Sequence, residues 1–260
     1  ASIGCSIADS VEQLIVWRFF QALGGGCGTL VARVVVRDVY DSKSQVKVLS
    51  YLASGLVLSP ILGPIIGAYI SSYHGWRPIF FALAFFSLAT WLLIWRYVGE
   101  SLSHDSPRKT FHFFETLFQS LALWRHHEFV FNTLIISFAW VVYFTFLSTS
   151  PTLIQGAHDV SPIEYGYIFS ATISGFVFGA MFIRRKMSAL NLKQLVSLAG
   201  TLILISTSTL SILTALGVEA LVVKLTLVFF SLFGIGIIFP ATQAGVTGTF
   251  KENIGDRKST

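Results

Sequence analysis

"SPILGPIIGAYISSYHGWRP", residues 59–78, decides how the rest of the chain is read. It is apolar enough for a buried helix, yet it holds Pro60 and Pro64. From slightly upstream, small residues recur at every fourth position: Gly55, Ser59, Gly63, Gly67, Ser71 and Gly75. In water, glycine and proline cost a helix interior about 1 and about 3 kcal/mol. Lipid changes that balance. The hydrophobic effect does not bring helices together there; small residues do, by letting backbones approach closely. Rows four residues apart wind slowly round a helix, so this stripe makes a shallow groove. Two prolines four apart lie on nearly one side and bend the helix one way. Neighbouring helices can satisfy the carbonyls they free. Helix packing alone accounts for small-xxx-small spacing. A Gly-Pro pair flanked by small residues four positions to either side is a rarer combination.

Composition points to the same solvent. Of 260 residues, 53% are hydrophobic and only 12% charged, against about 25% charged in soluble domains. Mean hydropathy is +0.70. An integral membrane protein follows. Cys5 and Cys27 show neither metal-ligand nor redox spacing, and one possible pair does not imply a disulfide. The net charge of +5 would suit nucleic acid, but the placement of the charges argues for a bilayer.

A spanning helix needs about 20 mainly apolar residues. Stretches of that length run over 11–33, 49–71, 78–97, 129–149, 165–183, 195–216 and 225–249. The segments 33–48, 96–128, 184–193 and 250–260 hold 15 of the 18 Lys and Arg residues. The alternate connections, 72–77, 150–164 and 217–224, hold only Arg77 and Lys224. Cytoplasmic loops carry the basic excess. The first complete helix therefore enters from outside, and the chain ends inside.

The opening "ASIGCSIADS" is too short to span and reads as the outer end of an earlier helix. The closing "KENIGDRKST" reads as an inner loop. The expectation is a fragment with about seven complete transmembrane helices. The longest polar stretch, Glu100 to Phe129, separates three helices and a remnant from four. It is taken as a linker between two bundles. Within it, Phe113, Leu117, Leu121 and Trp124 recur at helical spacing, as in a helix lying on the membrane surface.

"SPILGPIIGA", residues 59–68, resembles the antiporter motif of proton-coupled drug exporters in the major facilitator superfamily, g-x-x-x-G-P-x-x-G-G. Ser59 and Ala68 replace its first and last glycines, small for small. "LIVWRFFQALGGGCGTLVARVVVRDVYD" resembles the preceding helix motif l-x-x-x-R-x-x-q-G through Leu14, Arg18 and Gln21, with Ala22 for the glycine. "ARVVVRD", "GWRPIFF" and "STSPTLIQ" are similar to the Bcr/CflA-type drug-resistance transporters. "RRKMSALNLKQ" is a degenerate echo of the superfamily loop motif. The resemblance implies an all-α transmembrane fold of two bundles. Residues 1–100 would supply the end of the third helix plus helices four to six. Residues 101–127 would be the cytoplasmic linker, and 128–260 would supply helices seven to ten. It further implies a substrate site between the bundles near the midplane, with alternating access. The motif helix, through Gly55, Ser59, Pro60, Gly63, Pro64 and Gly67, would restrict leak and favour export. Proton-coupled efflux of drug-like small molecules across the cell inner (cytoplasmic) membrane is the function implied, by a monomer with protons as coupling ion.

Arg18 lies six residues inside Glu12, about 9 Å from the outer end at 1.5 Å per residue. A charge at membrane depth marks a pathway or a pair; the alternative is snorkelling to the surface. Gln21 shares its face. By the resemblance, the arginine lines the cavity and takes part in proton coupling, its acidic partner lying on a helix outside this sequence. Asn132 and Tyr143 are about three turns apart and share a face, with Trp140 assigned to another. Tyr167, Ser170 and Ser174 can line one side of the next helix. These five are possible substrate-cavity residues, with interhelical hydrogen bonding as the plainer reading. Phe239 and Pro240 mark a kink. "RHHE", residues 125–128, reads as solvated histidines at a basic membrane edge rather than a metal site. No Ser–His–Asp set, Walker loop or glycine-rich phosphate cradle occurs, so neither an enzyme, a cofactor nor an ATP-driven pump is expected, and no nucleic acid. A proton-coupled uptake carrier of the same fold and a seven-helix receptor remain the rivals.

Overall fold

The computed structural model describes residues 1–99, 118, 121, 123–186 and 192–256. Its helices are α1 (Ser2–Ser6), α2 (Val11–Val39), α3 (Ser42–His74), α4 (Arg77–Tyr97), α5 (His127–Pro151), α6 (Pro162–Lys186), α7 (Leu192–Ala215) and α8 (Leu221–Asp256). Among the described residues there is no strand. Every predicted span lies inside one of these helices except 195–216, which runs one residue past the end of α7. Six helices of the described residues are long and apolar enough to cross a membrane. The other predicted span, 49–71, lies in α3, where several side chains fall outside the described set. Most of the 101–127 stretch and the centre of "RRKMSALNLKQ" also lie outside the described residues.

Local chemistry sets the helix ends. Ser10 caps α2, its hydroxyl accepting from the Gln13 amide. Ser161 and Glu164 bond reciprocally at the start of α6: the Ser161 amide donates to Glu164 Oε2 at 3.0 Å, and the Glu164 amide to Ser161 Oγ at 3.3 Å. This is a capping box, with Pro162 at the first helical position, where its missing donor costs nothing. Gly75 ends α3 at φ 79°, a left-handed conformation that glycine adopts without penalty. Gly217 ends α7 likewise at φ 72°. There Val218 N–H reaches Leu213 O and Gly217 N–H reaches Thr214 O, the paired bonds of a Schellman cap.

One expectation is corrected. The connection predicted over 150–164 is helical through Gly156, because α5 runs into a π-turn at Thr152–Gly156. The polar letters of "TLIQGAHD" read as a loop. Pro151 lacks a donor, and the chain continues past it in wider turns instead of stopping. The Trp124 position, predicted on a surface helix, sits in a 3-10 turn at Leu123–Arg125.

The chain divides into two compact units, Ala1–Lys109 and Thr110–Thr260. In the first, α1 packs on α2 and α4. Gly4 lies so close to the Trp17 ring that a Cβ would not fit. Cys5, Ser6 and Ala8 are buried, and Arg77 donates to the Ala8 carbonyl at 3.1 Å while its guanidinium lies 4.6 Å from the Trp76 ring. None of the residues of α4 is buried, and Phe81, Phe85, Phe86, Trp91 and Trp95 are exposed, an apolar surface suited to lipid. Its Ser87 and Thr90 hydroxyls donate back to carbonyls one turn earlier, which satisfies them without water.

In the second unit α8 is central and contacts α5, α6 and α7. Ala139, Phe169, Ile173, Leu195, Leu232 and Ile235 belong to one buried cluster. Glycines bring the backbones together. A Cβ on Gly175 would meet the Phe229 carbonyl oxygen, and one on Gly179 the Phe233 carbonyl oxygen. Reciprocally, Gly236 of α8 leaves room only for the Phe176 carbonyl of α6. Gly234 faces α7, where an added Cβ would lie 2.9 Å from the Ala199 carbonyl oxygen.

Candidate functional site

Gln21, which helical spacing places on the face of Arg18, is its hydrogen-bond partner. Arg18 Nη1 donates to Gln21 Oε1 at 2.7 Å. Gln21 Nε2 in turn donates to Ser2 Oγ at 2.8 Å, joining α2 to α1. The guanidinium lies 5.8 Å from the centroid of Phe80 on α4, within cation–π range. Three helices of the first unit therefore meet at one arginine. Its hydrogen bond runs to the residue one turn further along α2, away from the Glu12 end. A guanidinium keeps its charge under all working conditions and offers five N–H donors. Bonded this way to neutral groups, it remains a net positive centre that attracts a carboxylate or an anionic substrate group.

The glycine stripe occupies an open face. Gly55, Gly63 and Gly67 would each accept a Cβ with nothing within 4 Å. Pro60 and Pro64 lie inside α3, which continues through both. Ser59 is exposed and Ala68 is buried. Within this unit, the face that the sequence marks for close packing has no described neighbour along its glycines.

The five possible cavity residues do not form one constellation. Tyr143 belongs to an aromatic cluster on α5, α6 and α8. Its ring centroid is 5.1 Å from Trp140 and 6.0 Å from Phe176. Phe239 closes the set, 5.6 Å from Trp140 and 6.1 Å from Phe176. The assignment of Trp140 to a separate face is thereby corrected: residues three apart on a helix are neighbours, and Trp140 meets Phe239 of α8 while Tyr143 meets Phe176 of α6. Trp140, Tyr143, Phe176 and Phe239 are all half-buried, so parts of the rings stay accessible. Asn132 shares the face of Tyr143 but sits about 16 Å away along the axis at 1.5 Å per residue. It donates to the Glu128 carbonyl and lines a different cavity near the start of α5. Tyr167 is exposed and Ser170 is buried. Ser174 donates to the Ala171 carbonyl at 2.6 Å, two residues from Phe176.

Sequence reasoning missed Phe176 as a partner and treated Phe239 only as a kink marker. The signal was available in the spacing of Trp140, Tyr143 and Phe144, an aromatic run on adjacent helical positions. It also missed the Gly175–Gly179 seam, which carries the same four-residue spacing as α3.

A family model described as the Major Facilitator Superfamily matches residues 1–256. Among curated proteins, "Multidrug resistance protein MdtL" of Escherichia coli O9:H4 (strain HS) is 29% identical over 177 residues, covering 66% of this chain and 43% of that protein. The same figures hold for the proteins of that name from Escherichia coli (strain K12) and Shigella boydii serotype 18 (strain CDC 3083-94 / BS512). The match thus takes in less than half the length of these relatives.

Proposed function

Because the chain belongs to the Major Facilitator Superfamily, we propose that the whole protein exports drug-like small molecules across the cytoplasmic membrane by alternating access, driven by proton entry. The observation that carries this reading is Arg18, held in a membrane-length helix by Gln21 and Ser2. A charge kept at that depth is costly and marks a pathway. Its position supports a coupling role: a proton-carrying acid is stabilised as the anion beside a fixed guanidinium and released from it when protonated or replaced by substrate. The aromatic cluster on α5, α6 and α8 supports a drug-like substrate. Flat rings accept planar apolar molecules, and their faces attract organic cations. The name carried by the MdtL relatives is in keeping with both.

In this reading residues 1–100 are the end of the third helix plus helices four to six, 101–127 form the cytoplasmic linker, and 128–260 are helices seven to ten. The basic connections face the cytoplasm. Gly55, Ser59, Pro60, Gly63, Pro64 and Gly67 form a face that α3 uses while the transport cycle changes its surroundings.

The test is drug-dependent proton movement in proteoliposomes carrying the full-length protein. Arg18→Ala should abolish it at an unchanged protein level, and Arg18→Lys should retain a fraction, because the charge stays but the planar fork is lost. Undiminished coupling in Arg18→Ala would leave the arginine as a snorkelling residue and remove the basis of the proposal. Drug accumulation on the opposite side would instead identify the uptake carrier.

A further inference from the structure

Arg18 is held by groups that carry no charge, and each of them is itself held. Its Nη1 donates to Gln21 Oε1 at 2.7 Å. A guanidinium only donates, so the Gln21 atom facing it is the amide oxygen, and the amide nitrogen is turned the other way. That nitrogen donates to Ser2 Oγ of α1 at 2.8 Å. Ser2 therefore fixes which way the Gln21 amide is turned. The second contact is the Phe80 ring, whose centroid lies 5.8 Å from Arg18 Cζ, within cation–π range. Trp76 meets Phe80 edge-on at 5.9 Å, and the Arg77 guanidinium lies 4.6 Å from the Trp76 ring. Arg77 in turn donates to the Ala8 carbonyl. Gly4 lets α1 come close enough for the Ser2 bond: a side chain there would collide with the ring of Trp17, the neighbour of Arg18.

The donors left over point to a use. Among the described residues Arg18 makes no other hydrogen bond, so Nε and Nη2 remain free. These two nitrogens form one edge of the planar fork, the edge that takes a carboxylate through parallel bonds. An arginine that turned freely would have to be ordered each time a carboxylate arrived, at an entropic cost. We propose that Ser2 and Phe80 are positioning residues that hold the Arg18 fork ready for the proton-carrying carboxylate, a role that rests on the coupling function proposed for Arg18. Neither touches the proton or the drug. Ser2 acts through Gln21, by keeping the amide oxygen toward the arginine. Phe80 acts through its face, which limits how the guanidinium can tilt.

The full-length protein is placed in proteoliposomes at matched levels, and proton movement is followed with a trapped pH-sensitive dye when ethidium, a flat organic cation, is added. Ser2→Ala should slow that movement by about 2- to 10-fold, the range for loss of one neutral hydrogen bond. Ser2→Thr should restore it, because the hydroxyl returns. Phe80→Leu should slow it by about 2- to 5-fold, the range for a cation–π contact at an exposed site, and Phe80→Tyr should keep it. Lysine has no fork to orient. In an Arg18→Lys background, Ser2→Ala should therefore cost less than about twofold, the coupling that a double-mutant cycle reads. Full proton movement in both Ser2→Ala and Phe80→Leu, with none in Arg18→Ala, would overturn the positioning roles and leave the coupling role of Arg18 standing. Equal losses in Ser2→Ala and Ser2→Thr, or a Ser2→Ala loss undiminished beside Arg18→Lys, would also overturn them and make the Ser2 bond a tie between α1 and α2 alone. Undiminished movement in Arg18→Ala would remove the coupling role and the positioning roles together.

Discussion

On α6, Gly175 and Gly179 press against the Phe229 and Phe233 carbonyls of α8, whereas on α3 Gly55, Gly63 and Gly67 would each receive a Cβ into open space. Both helices carry glycines at multiples of four residues. The spacing therefore supplies only a permission: it lets a backbone come close. What decides is whether a partner offers a matching surface. α8 does, because Gly236 admits the Phe176 carbonyl in return. The approach is reciprocal, and weak Cα–H···O contacts add to it. α2 offers four glycines of its own, Gly24, Gly25, Gly26 and Gly28, and these too have nothing within 4 Å. A seam filled from both sides fixes two helices as one piece. A stripe left open is suited to a surface whose neighbours change.

The largest expected effect lies in the filled seam. Gly179→Leu would drive a branched side chain into the Phe233 backbone, which cannot give as a flexible side chain can. Overpacking costs about 1–3 kcal/mol and occasionally more. The full-length protein should melt many degrees lower in detergent and reach the membrane at much reduced levels. Normal melting would mean that α6 and α8 do not meet this way, and the contrast with α3 would disappear.

Gly63→Leu tests the other side of the comparison. It should leave membrane level and melting close to unaltered, within about 0.5 kcal/mol as for surface substitutions. Under the proposed export cycle it should nonetheless abolish drug resistance, because the bulk obstructs the face when neighbours close on it. Destabilisation equal to that of Gly179→Leu would show that the α3 stripe is filled permanently. Full resistance would show that it meets only lipid or solvent, and the motif reading would fall.

The two faces also show why the sequence was legible in part. Hydropathy located the helices because lipid demands long apolar runs whatever the packing. The Arg18–Gln21 bond was legible because positions three apart meet on any helix. The same rule, applied to Trp140 and Tyr143, would have joined them. Asn132 and Tyr143 were grouped by angle alone, and angle says nothing about depth. The π-turn after Pro151 was hidden because Gln155, Gly156 and Asp159 have loop composition, while Ile154 within it is fully buried. Ser150 and Tyr165, whose hydroxyls lie 3.0 Å apart across that region, carry no periodic signal at all. The filled seam was overlooked because the proline-marked stripe drew the argument first; spacing alone does not rank them.

Gly234 offers an intermediate case. An added Cβ there would lie 2.7 Å from Ile203 Cγ1 and 2.9 Å from the Ala199 carbonyl oxygen. The isoleucine can shift its side chain, and the carbonyl has less freedom. Gly234→Ala should therefore lower stability by about 1 kcal/mol, at the low end of overpacking costs. In a double-mutant cycle, the loss caused by Gly234→Ala should be smaller in an Ile203→Ala background than in the unaltered protein, since the nearer obstacle is gone. An equal loss in both backgrounds would place the conflict on the Ala199 backbone and make the α7–α8 contact as rigid as the α6–α8 seam.

The smallest effect has the opposite sign. At Gly63 an alanine Cβ meets nothing within 4 Å, so no packing is lost. Alanine is the better helix former by about 1 kcal/mol in water, and it narrows the unfolded ensemble where the native conformation suits it. In a membrane helix, whose backbone bonds form even when the fold is lost, only part of that gain remains. Gly63→Ala should thus raise the melting temperature slightly or leave it unchanged, while the same substitution at Gly179 lowers it. The two single-atom changes are chemically identical and differ only in what stands opposite. Melting curves of both variants of the full-length protein in one detergent make the comparison. A drop at Gly63 as large as that at Gly179 would mean that a backbone lies against α3 in the whole protein, and the stripe would then be a second filled seam rather than an open face.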